Sequence, residues 1–174
     1  MKKVAVLYTG NVEDRKGAIN ATLARIEYLS RNSDYEITPM LLKNYGLFMS
    51  TKYLSNKVIC VDGKETKVIA HYYSLLWYLI CSKLFKHIVF GRFLYGRIAK
   101  MLKNYDLVIA HSMECGYIAY LAKQKYKIPY SVTWHGSDIH TTPFNNSYVR
   151  DITKTVIENA NINFFVSKSL QEIS

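Results

Sequence analysis

Short apolar runs that do not alternate with polar residues recur along this chain: VAVLY at 4–8, DLVIA at 106–110, PYSVTW at 129–134 and INFFVS at 162–167. A strand with one wet face alternates. A strand that is apolar throughout needs cover on both faces, and the parallel sheets of α/β folds supply it. Between the runs lie stretches with helical spacing. Over 16–31, Ile19, Leu23, Ile26 and Leu29 fall on one side; CGYIAYLAKQKY (115–126) and SYVRDITKTVIENA (147–160) follow, and KSLQEIS begins another helix. Strands separated by helices of this length build βαβ units. The expected fold is α/β, a Rossmann-like open parallel sheet with helices on both faces. With 49% hydrophobic residues, the 174-residue chain can fill the core of a single domain over 1–174.

The middle of the chain is less regular. YEITPMLLK (35–43) reads as a strand, and Pro39, which cannot donate to a ladder, places it at a sheet edge. KVICVDGKETKVIAHYY reads as two strands around a turn at Asp62-Gly63. Helices are expected over 74–90 and 92–104. In the second, Leu94, Ile98, Met101, Leu102 and Tyr105 share a face, with Arg92, Lys100 and Lys103 opposite. The longest apolar stretch, LLWYLIC (75–81), falls well short of the ~20 residues that span a bilayer, so membrane contact is expected to be peripheral.

The formal net charge of +10 sits in residues 1–105, while 106–174 balance. No acid lies between Glu65 and Asp106, a segment that carries Lys67, Lys83, Lys86, Arg92, Arg97, Lys100 and Lys103. Such a block is either a solvated basic face or a surface for an anionic partner: acidic lipid, a phosphorylated substrate or nucleic acid. These cations are interleaved with bulky aliphatic residues, and no RNA- or DNA-binding motif occurs, so nucleic acid is not the expected partner. Cys60, Cys81 and Cys115 lie far apart, with no C-x-x-C pair. That argues against a disulfide framework or a zinc ribbon and for a reducing, cytoplasmic setting.

In an open parallel sheet, ligands bind beyond the carboxyl ends of the strands. The residues there are Thr9, Gly10 and Asn11, with a polar loop to Gly17; His111 and Ser112; His135, Gly136, Ser137 and Asp138; and Ser167. A histidine straight after a strand is held by rigid backbone and opens onto the crevice, where a general acid or base or a hydrogen-bond donor is useful. Plainer roles remain open. Gly10 can serve a tight turn, His111 can be a satisfied polar strand end, and Asp138 and His140 can order their loop, Asp138 as an N-cap or Asx turn. The first loop lacks G-x-G-x-x-G and G-x-x-x-x-G-K-[ST], which disfavours a dinucleotide site and a P-loop. H-x-x-D-x-H within one loop is not a spacing that builds a metal site, and no metal is expected. Cys115, two residues into a helix, would have the lowered pKa of a nucleophile, with nothing else to support that role.

Taken in order, these segments resemble the N-terminal domain of family-4 glycosyltransferases, which have the GT-B fold of two facing Rossmann-like domains. SVTWHGSDI resembles the family's strand–His–Gly–x–Asp segment, NYDLVIAHS its preceding strand and histidine-bearing loop, and VIENANINFFVSKSLQEI its later helix–turn–strand–helix. The resemblance implies transfer of a sugar from a nucleotide-sugar donor to a saccharide or lipid-diphosphate acceptor, without an obligatory metal or other cofactor. It implies that this domain mainly binds acceptor, that His135 acts beside the transferred sugar, and that the Gly10–Gly17 loop approaches donor phosphates and acceptor. Gly136, Asp138, His111 and Ser112 would line the same cleft. The sequence departs from the family in three ways: the family's C-terminal donor-binding domain is absent, the first loop has the lone Gly17 where a glycine pair is common, and the "A-D" turn reads Ala160-Asn161. The expected enzyme is a glycosyltransferase of surface polysaccharide or glycolipid assembly, cytoplasmic and peripheral on the inner face of the membrane. Its donor half would come from a C-terminal domain in cis or a separate chain. The alternatives are a non-catalytic subunit of a split transferase and a basic nucleic-acid-binding module.

Overall fold

A computed structural model describes residues 1–9, 17–32, 34–43, 54–61, 64–72 and 95–173. Its elements are β1 (Lys3–Thr9), α1 (Ala18–Asn32), β2 (Glu36–Lys43), β3 (Leu54–Val61), β4 (Lys64–Tyr72), α2 (Gly96–Met101), β5 (Leu107–His111), α3 (Met113–Tyr126), β6 (Tyr130–Trp134), α4 (Ser137–His140), α5 (Thr142–Asn145), α6 (Ser147–Asn159), β7 (Ile162–Phe165) and α7 (Lys168–Ile173). The strands form one sheet in the order β3-β4-β2-β1-β5-β6-β7. All neighbours are parallel except β3, which pairs antiparallel with β4.

The uniformly apolar strands sit where expected. β1 is central, and Val4 to Tyr8 are each at most 2% exposed. Its side chains alternate between two cores. Val4, Val6 and Tyr8, with Leu41 and Ile109, face α1 through Ile26, Leu23 and Leu29. Ala5 and Leu7, with Val108, Ala110, Val132 and Trp134, face the opposite layer, where Ile98 and Leu102, Ile118 and Ala119, and Val156 pack. Helices thus cover both faces of the sheet.

The α3 layer lies close. A Cβ on Gly116 would come within 2.6 Å of Val156 Cγ1 and 3.2 Å of Val132 Cγ2. A glycine there lets one helix approach both β6 and α6.

Four local expectations need correcting. The strand that carries Pro39 is interior, between β1 and β4. It tolerates the proline because the β2–β4 ladder begins at Met40; Pro39 itself is opposite only Val6 of β1. The helix expected over 92–104 is described from Gly96 and tightens into a 3₁₀ turn at Leu102–Asn104. Its faces are as expected: Ile98 and Leu102 are buried, while Arg97, Lys100 and Lys103 are exposed. His111 is the last residue of β5 rather than the first of a loop. The stretch after His135, with no helical periodicity, holds two single-turn helices, α4 and α5. Gly10, Asn11, Lys83, Lys86, Arg92, the turn at 62–63 and the helix expected over 74–90 lie outside the described residues.

Candidate functional site

The strand order puts β1, β5 and β6 side by side, so their carboxyl ends meet at one edge. Odd-numbered residues of β5 and β6 point toward α1, and His111, Thr133 and His135 follow that parity. The two imidazoles lie nearly parallel, 18° apart with centroids at 5.4 Å. His111 Nδ1 is 3.1 Å from His135 Nε2 and 2.9 Å from Thr22 Oγ1 on α1. A neutral His111 carries either one lone pair or one proton at Nδ1, so there it accepts from one of these two neighbours or donates to one of them.

Burial pushes the His111 pKa down to about 3, and the neighbouring His135 and the Arg25 guanidinium push the same way. Burial also lowers the His135 pKa, opposed by the Asp138 carboxylate and reinforced by Arg25. Both rings are neutral at pH 7, fit to donate and accept hydrogen bonds or to take a proton.

A buried neutral imidazole also makes stability depend on pH. The unfolded chain takes up a proton near the usual value of 6.5, and folded His111 does so only near 3. Its contribution is present above 6.5 and is lost as pH falls from there toward 3. Thermal unfolding between pH 7 and pH 5 checks this: the melting temperature should fall on acidification, and His111→Gln should flatten that slope. An unchanged slope in the variant would contradict the assignment.

The loop after β6 is held in place by Asp138. Its Oδ1 accepts from the backbone N–H groups of His135 at 3.2 Å and Gly136 at 3.0 Å. Asp138 therefore orders the loop from within α4, whose N-cap is Gly136. Gly136 has φ +130° and ψ −77°, open to glycine and strained for other residues. Ser112 is also unusual, with φ 81° and ψ 165° as the N-cap of α3. It is held there by its N–H on the Thr133 carbonyl and by its own carbonyl, which accepts from Gly116 N–H, each at 3.0 Å. Backbone strain of this kind costs about 1–3 kcal/mol and persists where surrounding bonds over-determine it.

These residues enclose a cleft of about 210 Å³ lined by Tyr8, Thr9, Thr22, His111, Ser112, His135, Ser137 and Asp138. The structure thus brings His111, Ser112, His135 and Asp138 together, with Gly136 as their turn. Gly17 caps the start of α1, where its carbonyl accepts from Ala21 N–H, and is not in the lining. His140 is exposed, and no group of three metal-ligating side chains occurs among the described residues. Cys115 is fully buried, and burial drives its thiol pKa far up, the reverse of the sequence expectation for a nucleophile.

Sequence reasoning missed Tyr8, Thr22 and Arg25. Arg25 donates to Thr133 Oγ1 and holds its guanidinium carbon 4.5 Å from the Phe164 ring centroid. Thr22 and Arg25 share a helical face with Ile26 and Leu29, and two polar residues on an otherwise apolar stripe were the available signal.

Fold and site together define a Rossmann-like α/β domain with a polar crevice at the carboxyl edge of its sheet. The sequence pattern of Glycosyltransferase Family 4 matches residues 58–173, and the chain belongs to that family. No curated protein matches it. Among solved structures it is similar to a sucrose-phosphate synthase from Thermosynechococcus elongatus (12% identity, TM-score 0.55, covering 98% of this chain and 79% of that one). It is also similar to the lipopolysaccharide outer core galactosyltransferase WaaB (14%, 0.53, 98% and 41%). A third is a putative UDP-N-acetylglucosamine 2-epimerase from Listeria monocytogenes (17%, 0.57, 99% and 41%). At these identities the likeness concerns the fold, and the chain spans only about two fifths of the last two. The expected family and Rossmann-like fold are borne out.

Proposed function

We propose that this chain is the acceptor-binding half of a glycosyltransferase that moves a sugar from a nucleotide-sugar to a saccharide or lipid-diphosphate acceptor. The observation that carries the reading is His135: a neutral imidazole just past the end of the interior strand β6, backed by His111, in a member of this family. Glycosyl transfer moves negative charge onto a leaving diphosphate and removes a proton from the acceptor hydroxyl. Donor-side cations stabilise the first change, and a positioned imidazole assists at the sugar. Within this reading His135 stands nearest the reacting atoms, Asp138 and Gly136 shape its loop, and Ser112 and the Gly10–Gly17 segment border the acceptor and donor phosphates. The donor half belongs to a C-terminal domain in cis or to a separate chain. The chemistry needs no metal or further cofactor. The reading places the enzyme in surface polysaccharide or glycolipid assembly.

Acceptor binding to the 174-residue chain tests this by calorimetry. A saccharide or lipid-diphosphate analogue should bind, His135→Ala should weaken it, and nucleotide-sugars should bind poorly. Tight nucleotide-sugar binding by this chain alone would reverse the assignment of halves.

The exposed row of Arg97, Lys100 and Lys103 on α2 and the following turn favours a peripheral seat on the anionic inner face of the membrane. Each cation near such a surface contributes about 1 kcal/mol. Co-sedimentation should show binding to phosphatidylglycerol vesicles and little to phosphatidylcholine. Equal binding to both, or none, would remove the membrane from the account. No helix among the described residues is long and apolar enough to cross a bilayer.

A further inference from the structure

Beside the cleft, Ile139 of α4 and Pro143 and Phe144 of α5 face α6 across a separate cavity of about 350 Å³. The α6 wall is one helical face: Arg150, Thr153, Lys154, Ile157 and Glu158 recur at i, i+3, i+4, i+7 and i+8. The gap exists because the opposite wall is short. α4 and α5 are single turns that break at Thr141, and Pro143, at the start of α5, has no N–H with which to continue the first turn. Two such turns give α6 no continuous ridge to pack against. The cavity shares no lining residue with the cleft, yet the two adjoin: Asp138 lines the cleft, and Ile139, the next residue, lines the cavity.

The floor of the cavity is apolar. Ile139 and Pro143 are buried and Ile157 is half-buried. Phe144 stands beside them 66% exposed. A lone exposed phenylalanine is ordinary, whereas one that continues an open apolar cavity adds to a surface that gains by being covered. The rim is charged. Lys154 and Glu158 lie 3.8 Å apart, one turn apart on α6, and offset each other. Arg150 is exposed and makes no ion pair among the described residues. An apolar hollow with one uncompensated guanidinium at its rim fits an apolar chain that ends in an anion, and the guanidinium fork matches phosphate oxygens. At about 350 Å³ the space is at the small end of small-molecule pockets. A single chain suits it better than a two-chain lipid or a partner's helix.

We propose that the cavity of Ile139, Pro143, Phe144 and Ile157 is a subsite for the apolar end of a lipid-phosphate acceptor, with one aliphatic chain in the cavity and its anionic head on Arg150. This rests on the glycosyltransferase reading and deepens it: one acceptor would occupy both spaces, its apolar end here and its reacting end in the cleft.

Calorimetry on the 174-residue chain tests it with decyl phosphate, hexyl phosphate, decanol and inorganic phosphate, each below its micelle-forming concentration. Decyl phosphate should bind at least about tenfold more tightly than hexyl phosphate, because each buried methylene contributes about fourfold. Inorganic phosphate should not bind. Arg150→Gln should weaken decyl phosphate about two- to fivefold, the range of an exposed ion pair, and leave decanol unchanged. Phe144→Ser should weaken both about three- to tenfold. Both side chains are exposed, so the variants should fold, and circular dichroism checks that they do. Binding to phosphatidylglycerol vesicles should be the same in parent and variants. No binding of decyl phosphate, inorganic phosphate that binds as well as decyl phosphate, or decyl phosphate binding indifferent to both variants would each overturn the proposal. Variants that lose vesicle binding while monomeric decyl phosphate still binds as in the parent would overturn it too, since the face would then be a membrane contact. Chain-length-dependent binding in a protein that transfers no sugar would leave the subsite standing and sink the transferase reading. Sugar transfer to an acceptor with no decyl phosphate binding would do the reverse.

Discussion

His135→Ala is expected to lower turnover about 10²–10⁴-fold, the range that a positioned acid–base group supplies. The loss should fall on catalysis rather than on folding. Trp134, just before it, is buried and hydrogen-bonded to Asn163. Asp138 holds the loop through the backbone N–H groups of residues 135 and 136, so an alanine at 135 keeps that clamp. What disappears is the ring 3.1 Å from His111 Nδ1, the half-buried imidazole of the cleft. Steady-state kinetics with circular dichroism beside them make the check. Turnover within a few-fold of the parent would remove His135 from the chemistry. A collapsed dichroism spectrum would mean that the ring props up the loop instead.

Trp134→Ala should have the largest effect on stability. The side chain is fully buried at 0% exposure, and its Nε1 donates to Asn163 Oδ1 at 3.0 Å. Truncating a buried Trp costs about 3–5 kcal/mol, part transfer and part cavity. In a chain of this size that is roughly 6–20 °C of melting temperature. Trp134→Phe retains most of the bulk, loses the N–H, and should melt between the two. The consequence for function follows from position: Trp134 anchors the strand end that carries His135. A Trp134→Ala variant that melts within ~2 °C of the parent would mean that β6 is held by something other than this core.

The strands and the site's main residues were legible because they are local signals. A run such as VAVLY is apolar at every position only if both of its faces are covered, and β1 proved central. His111 and His135 could be placed at one edge because each closes a strand, and parallel strands end on the same side. What stayed hidden was tertiary. Thr22 reaches His111 across 89 positions and Arg25 reaches Thr133 across 108. Nothing in the sequence near 111 or 133 announces either contact. Pro39 misled for a related reason: edge placement is judged strand by strand, yet β2 is an edge for its first residues and interior from Met40 onward. The thiol of Cys115 misled because a helix N-terminus lowers a pKa only where water or cations help, and this one is enclosed in the core.

The central claim, that this family member transfers sugar to an acceptor, is tested most directly by following the fate of the sugar. The protein, with its donor half in cis or supplied as a second chain, would be incubated with a nucleotide-sugar panel and saccharide acceptors, and the products read by mass spectrometry and NMR. The account predicts release of nucleoside diphosphate matched by a glycosylated acceptor. A nucleotide-sugar that is epimerised, or consumed with no acceptor modified, would contradict it.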